Sequence, residues 1–233
     1  MLRRMTVLLL AILTATSLVA CGPKKPDQKT TREVLLGRLT AARDKIDKAE
    51  TIKLSLAAKS LPDGVSGLLS ATGTGNHSPA FQGTVKVITG GATVSAEVVA
   101  VGGDVMAKPS FSPIFLTVDP ATLKAPNPAA LFEATTGFSQ ILVETNGLKE
   151  RGKSRNGKEV LTTISGTIPG SVVRAILPSA DAAASFAVAY RLTDDNELRD
   201  ASVTGPFYPK VPNITYDITV TTSNEPVTIT LPK

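Results

Sequence analysis

The chain has 233 residues, with 25 lysines and arginines against 20 aspartates and glutamates, one histidine, one cysteine and no tryptophan. Removing residues 1–20, which carry Arg3 and Arg4 and no acid, leaves 23 basic against 20 acidic residues, or +3; so weak a bias excludes a nucleic-acid footprint, and 4% aromatic content leaves few platforms for stacking bases or sugars. One cysteine excludes an intrachain disulfide, and no later segment approaches the roughly 20 apolar residues of a membrane-spanning helix.

At the N-terminus Arg3 and Arg4 precede an apolar run from Met5 to Leu13, and Leu18-Val19-Ala20-Cys21 closes the segment. That is the order of a signal peptide, whose apolar stretch of about ten residues is too short to cross ~30 Å of hydrocarbon as a helix. Leu18-Val19-Ala20-Cys21 also resembles a bacterial lipobox. In that pattern the Cys21 sulfur takes a diacylglycerol, a peptidase cuts before it, and the new amine is open to N-acylation. The competing reading is an incidental cysteine behind an ordinary signal peptide, but Cys21 sits where the apolar run stops and a polar linker starts. The expected division is a signal peptide over 1–20, a lipidated tether over 21–31 and one domain over 32–233, held on the extracytoplasmic side of the cell membrane, in the cell envelope. Pro23, Pro26 and the lysines Lys24, Lys25 and Lys29 favour an extended, solvated tether. Each lysine near an anionic surface adds about 1 kcal/mol.

Thr30 and Glu33 have capping-box spacing, and Leu35, Leu39, Ala42, Ile46 and Ala49 follow on one helical stripe opposite Arg38, Arg43, Lys45 and Lys48. The pattern then changes to period two: Ile52, Leu54, Leu56; Phe81, Gly83, Val85, Val87; Val94, Ala96, Val98, Ala100. Pro62-Asp63-Gly64, Gly75-Asn76, Gly90-Gly91 and Gly102-Gly103 punctuate it as turns of an antiparallel meander. Residues 127–144 read as helix in two pieces, with Asn127 as cap, Pro128 in the first turn and Gly137 between the pieces. Strands over 148–155 and 158–168 flank Asn156-Gly157, read as a type I′ turn. A short helix over 170–177 stops at Pro178. Strands are expected over 185–193, 197–204, 213–222 and 226–231. The sum is an α+β domain, an antiparallel sheet of nine to eleven strands with helices on one side.

Catalytic chemistry is poorly supplied. The lone His77 sits in the turn Gly75-Asn76-His77-Ser78-Pro79, whereas zinc needs three or four ligands and a nucleophilic triad needs its imidazole beside the nucleophile. Asp194-Asp195 reads as a hairpin tip, and Gly73-Thr74-Gly75-Asn76 as a turn and not a phosphate loop. The expectation is a protein that is not an enzyme, with no catalytic residue and no metal.

From residue 33 to the C-terminus the chain resembles the actinobacterial and mycobacterial LppX/LprA/LprF/LprG lipoprotein family. The residues that carry the likeness are Cys21, the opening helix, Val118-Asp119-Pro120 with the helical stretch after it, Glu150-Arg151-Gly152, Asn156-Gly157 and Thr162 to Pro169. The 186–203 hairpin with Leu198, and Asn224-Glu225-Pro226-Val227, add to it. Ala189-Tyr190 and Thr222-Ser223 stand where relatives carry tryptophan. The resemblance implies a half-barrel, a curved antiparallel sheet with helices on its concave face enclosing an apolar cavity. It also implies a monomeric carrier that binds acyl chains of membrane lipids or glycolipids and moves them between membrane layers or to an envelope lipid exporter. No cofactor is implied beyond the acyl groups on Cys21, and no nucleic-acid partner. The cavity wall would then include Leu54, Leu56, Val85, Val87, Val98, Phe132, Phe138, Ile141, Val173 and Ile176. Alternation reports burial, not what lies inside. The same residues in a dry core would make a structural or adhesive surface lipoprotein with no ligand.

Overall fold

The computed structural model describes residues 28–123, 125–211 and 213–233; the expected signal peptide, Cys21 and residues 22–27 of the tether lie outside these. Helix α1 spans Gln28–Asp47 and buries the expected stripe of Leu35, Leu39, Ala42 and Ile46, with Ala49 just beyond its end. Each large aliphatic side chain so buried contributes ~1.5–3 kcal/mol. The helix already includes Gln28, so Thr30 lies within it and does not cap it; the sequence has no helix breaker between these two positions.

Six strands follow: β1 Thr51–Ala58, β2 Gly67–Asn76, β3 Ala80–Thr89, β4 Ala92–Val101, β5 Asp104–Pro109 and β6 Leu116–Thr117. After three short 3₁₀ segments come β7 Asn146–Asn156, β8 Glu159–Pro169, α2 Gly170–Ile176, β9 Ser185–Leu192, β10 Leu198–Gly205 and β11 Ile214–Ser223. The strands form one 11-stranded antiparallel sheet in the order β6-β5-β4-β3-β2-β1-β11-β10-β9-β8-β7. Two meanders therefore join where β1 pairs β11, from Thr51 opposite Ser223 to Ala58 opposite Tyr216. Period two sends Ile52, Leu54, Leu56 and Ala58 to the helix-covered face and Lys53, Ser55 and Ala57 to the other. All eleven strands and both α-helices lie within 28–233, so a chain lacking residues 1–21 keeps every element described.

Further expectations change. Asn156 pairs with Glu159, so the turn residues are Gly157 and Lys158, and of these only Gly157 has positive φ (60°). That is the glycine-first requirement of a type II′ turn, not type I′. Residues 127–144 form only the 3₁₀ segments Ala130–Phe132 and Phe138–Leu142. The chain pinches at Gly137, where a Cβ would collide with the carbonyl oxygens of Leu131 and Glu133. Residues 226–231 form no strand, because both edges of β11 are already taken by β1 and β10. The Thr51 hydroxyl donates to the Glu225 carbonyl (2.5 Å) and the Asn76 amide to the Val227 carbonyl (2.9 Å), which ties this tail down.

A buried tyrosine circuit fastens the 206–213 loop to the register shift in β2. The Leu68 N–H donates to the Tyr208 hydroxyl (2.8 Å), the two phenols of Tyr208 and Tyr216 bond each other (2.9 Å), and Tyr216 donates to the Leu68 carbonyl. Burial pushes the Tyr216 phenol well above its usual 10.0, and Tyr190, also buried, likewise. Both phenols ionise more readily in the unfolded chain, so their contribution is complete below pH ~10 and is lost as pH rises above it. Urea midpoints should therefore hold steady from pH 8 to about 10 and drop beyond it, and Tyr216→Phe should flatten the drop. An equally steep fall in that variant contradicts this assignment.

Candidate functional site: the concave apolar face

The helix-covered face is built from cross-strand rows of small and aliphatic residues. One runs from the sheet centre to its edge as Leu54, Gly73, Gly83, Val98, Ala107 and Leu116. The next runs as Leu56, Ala71, Val85, Ala96 and Pro109. Across β1–β11, Leu54 meets Val220 and Leu56 meets Ile218.

Gly73-Thr74-Gly75-Asn76 proves to be strand, not turn, and its glycines are notches. A Cβ on Gly75 would stand 2.5 Å from the Phe132 ring, and one on Gly73 would collide with Phe81. Phe81 stacks on Phe132 at 5.7 Å between centroids, and Phe138 meets Phe132 edge-on at 5.9 Å. Aromatic rings from β3 and the 3₁₀ segments thus fill the floor that glycine leaves open. His77 positions this group as a strut. Its ring spans the Ile46 carbonyl at the end of α1 (3.0 Å) and the Phe132 carbonyl (2.6 Å). The Ser139 hydroxyl donates to Asp47 (2.6 Å), adding a second link between α1 and the segment bearing Phe138.

Of the ten residues named as wall candidates, Val98, Phe132 and Val173 are fully buried. Leu54, Leu56, Val85, Val87, Phe138, Ile141 and Ile176 are half-buried. Leu54, Leu56, Val85, Phe138 and Ile141 abut one apolar cluster, as do Ile218 and Leu69, which sequence reasoning did not single out. Half-burial of Leu54 and Leu56 is unusual for its place, since β1 is the sixth of eleven strands and these side chains point to the covered face. Their neighbours Ile52 and Val220 are 0% and 2% exposed.

Two recesses stand out. One of about 220 Å³ is lined by Lys53, Ser55, Thr72, Thr74, Thr219 and Thr221 of the opposite face together with Leu54 and Gly73. The other, about 300 Å³, lies at the end of the sheet by Lys59, Ser60, Pro62 and residues 213–215. Both are at or below the low end of the ~300–1,000 Å³ usual for ligand sites, and neither is the enclosed apolar chamber that was expected. On the concave face the aromatic rings occupy the floor beside Gly73 and Gly75, and the row Leu56, Ala71, Val85, Ala96 and Pro109 stays only partly covered, as a shallow apolar trough.

Charge keeps to the outside of the domain. Arg191 grips Asp200 with two bonds (2.6 and 2.7 Å), and Arg199 bridges Glu159 and Glu197. The hydrogen bond from Arg199 holds the Glu159 carboxyl below its usual range. Among the described residues no group of three or more His, Cys, Asp or Glu side chains is placed to hold a metal.

No curated protein sequence matches the chain. Solved structures that share its fold include two mycobacterial lipoproteins. LprF from Mycobacterium bovis is 16% identical with a TM-score of 0.68, over 86% of this chain and 97% of its own. The lipoprotein LppX from Mycobacterium tuberculosis is 17% identical with a TM-score of 0.60, over 85% and 99%. The family model for LppX_LprAFG lipoprotein matches residues 35–229, nearly the whole described domain, and the chain belongs to that family.

Proposed function

We propose that the domain binds acyl chains of membrane lipids or glycolipids in the trough and carries them between membrane layers or to an envelope lipid exporter. The observation that carries this reading is the partial exposure of Leu54 and Leu56 at the centre of a covered sheet, where a dry core would bury both. An acyl chain laid along them regains ~0.8 kcal/mol per methylene against water, which a bilayer also offers. Exchange is then near neutral, as a carrier that both loads and releases requires. Titration of a pyrene-labelled phosphatidylcholine into the chain lacking residues 1–21 tests the reading: saturable excimer-free fluorescence is expected, and none above a lipid-free control protein rejects it.

A ligand-free surface lipoprotein is the second reading. The Phe81–Phe132–Phe138 group that fills the floor favours it, and the same titration separates the two.

In this proposal the carrier stays at the extracytoplasmic face of the cell membrane through acyl groups on Cys21. Two or more chains give stable anchoring where a single chain is marginal. Replacing residues 1–21 by an ordinary cleavable signal peptide that leaves no cysteine should move the protein from the membrane fraction to the soluble extracytoplasmic fraction. Retention in the membrane would show that another element anchors it.

A further inference from the structure

Four of the five large apolar residues most exposed among the described residues fall within 111–123, in the turn before the edge strand β6, in β6 itself and in the 3₁₀ segment after it: Phe111 (78%), Ile114 (60%), Leu116 (46%) and Leu123 (67%). The β5–β6 connection that carries the first two is a built turn. The Ser112 N–H donates to the Pro109 carbonyl (2.9 Å), the Ser112 hydroxyl donates to the Ile114 carbonyl (2.9 Å), and the Lys108 ammonium sits 5.2 Å from the centre of the Phe115 ring. Residues 109–118 contain no ionisable side chain. Ordered, uncharged and apolar, the tip gains nothing from water.

Its position points to one occupant. Pro109, the first residue of the tip, ends the row that begins at Leu56, and every residue of that row is only partly buried, so an apolar track leads from the sheet centre to the exposed edge. The edge is ill suited to pairing with another strand. β6 has two residues and lies between Pro113 and Pro120, the blunting that protects sheet edges. A protruding aromatic and aliphatic turn beside such an edge suits the headgroup–acyl boundary of a bilayer.

We propose that the β5–β6 tip is the element that docks the domain into a lipid bilayer, and that the row from Pro109 to Leu56 is the path an acyl chain takes into the trough. The second half rests on the carrier reading above; the first does not.

The test uses the chain lacking residues 1–21, phosphatidylcholine vesicles and the Phe111→Asp/Ile114→Asp double variant. Cosedimentation of the double variant should fall about tenfold or more, with an unchanged melting temperature, since both side chains are exposed. The rate of pyrene-phosphatidylcholine transfer from those vesicles should fall in step, while the amount bound at equilibrium stays the same. Equal cosedimentation of the two proteins overturns the docking assignment. So does a loss that follows charge reversal at Lys149 and Arg155 on the opposite edge strand, β7, and spares the tip variant. Reduced cosedimentation with an unchanged transfer rate overturns the path alone. Carrier failure is read separately, as absence of saturable binding in the unmodified chain.

Discussion

Val85→Trp is expected to leave the fold in place and to cut acyl-chain affinity roughly 50-fold. Val85 is half-buried on the concave face, and its cross-strand partners there are Ala71 and Ala96. Two alanines leave lateral room for an indole, so the ring can lie in the trough without displacing a packed neighbour. Once there it takes the space of roughly three methylenes of a bound chain, which at ~0.8 kcal/mol each costs ~2.4 kcal/mol, or the stated factor. Thermal melting and the pyrene-lipid titration read the two halves. Unchanged affinity in a folded variant would show that Val85 does not line the binding surface.

Phe132→Ala should be the most destabilising single change in the domain, by about 3–5 kcal/mol. Phe132 is 2% exposed, stacks on Phe81, meets Phe138, and fills the notch over Gly75. Glycine has no side chain to relax into the space, so the cavity stays open and the cost falls at the upper end of that range. Loss of the ring also removes the apolar support beneath the carbonyl that the His77 ring meets. Urea unfolding should show a lower midpoint at unchanged slope. A loss under about 1 kcal/mol would mean that the aromatic group is not a structural keystone.

What local pattern could show, it showed. The α1 stripe and the alternation in β1, β3 and β4 follow from periods of 3.6 and 2, which survive in any tertiary setting. Pairing of β1 with β11 had no such signal, because it joins the two ends of the domain and leaves no mark on either strand alone. That pairing also explains why residues 226–231 looked like a strand and are not: the pattern was apolar, but neither side of the preceding strand β11 remained free to receive it. Gly73 and Gly75 read as turn residues because glycine in a strand is costly unless something fills its place. The filling rings, Phe81 and Phe132, come from β3 and a 3₁₀ segment, and only the folded chain brings them over those positions.

The concave face was legible in the same limited sense. Parity assigned Leu54, Leu56, Val85 and Val98 to one face, and the structure puts them there. Parity could not say that Val98 is sealed while Leu54 and Leu56 stay half-open, since that depends on which helices and 3₁₀ segments cover each strand. Nor could it show that the partly open row from Leu56 ends at Pro109, where an uncharged, protruding turn begins.

Native mass spectrometry of the chain lacking residues 1–21, purified without detergent from cells and then incubated with phosphatidylcholine vesicles, bears most directly on whether the trough holds acyl chains. Carriage predicts a population heavier than the bare polypeptide by one or two lipid masses, which collisional activation strips away. A single bare species both before and after incubation would mean that the trough takes no lipid.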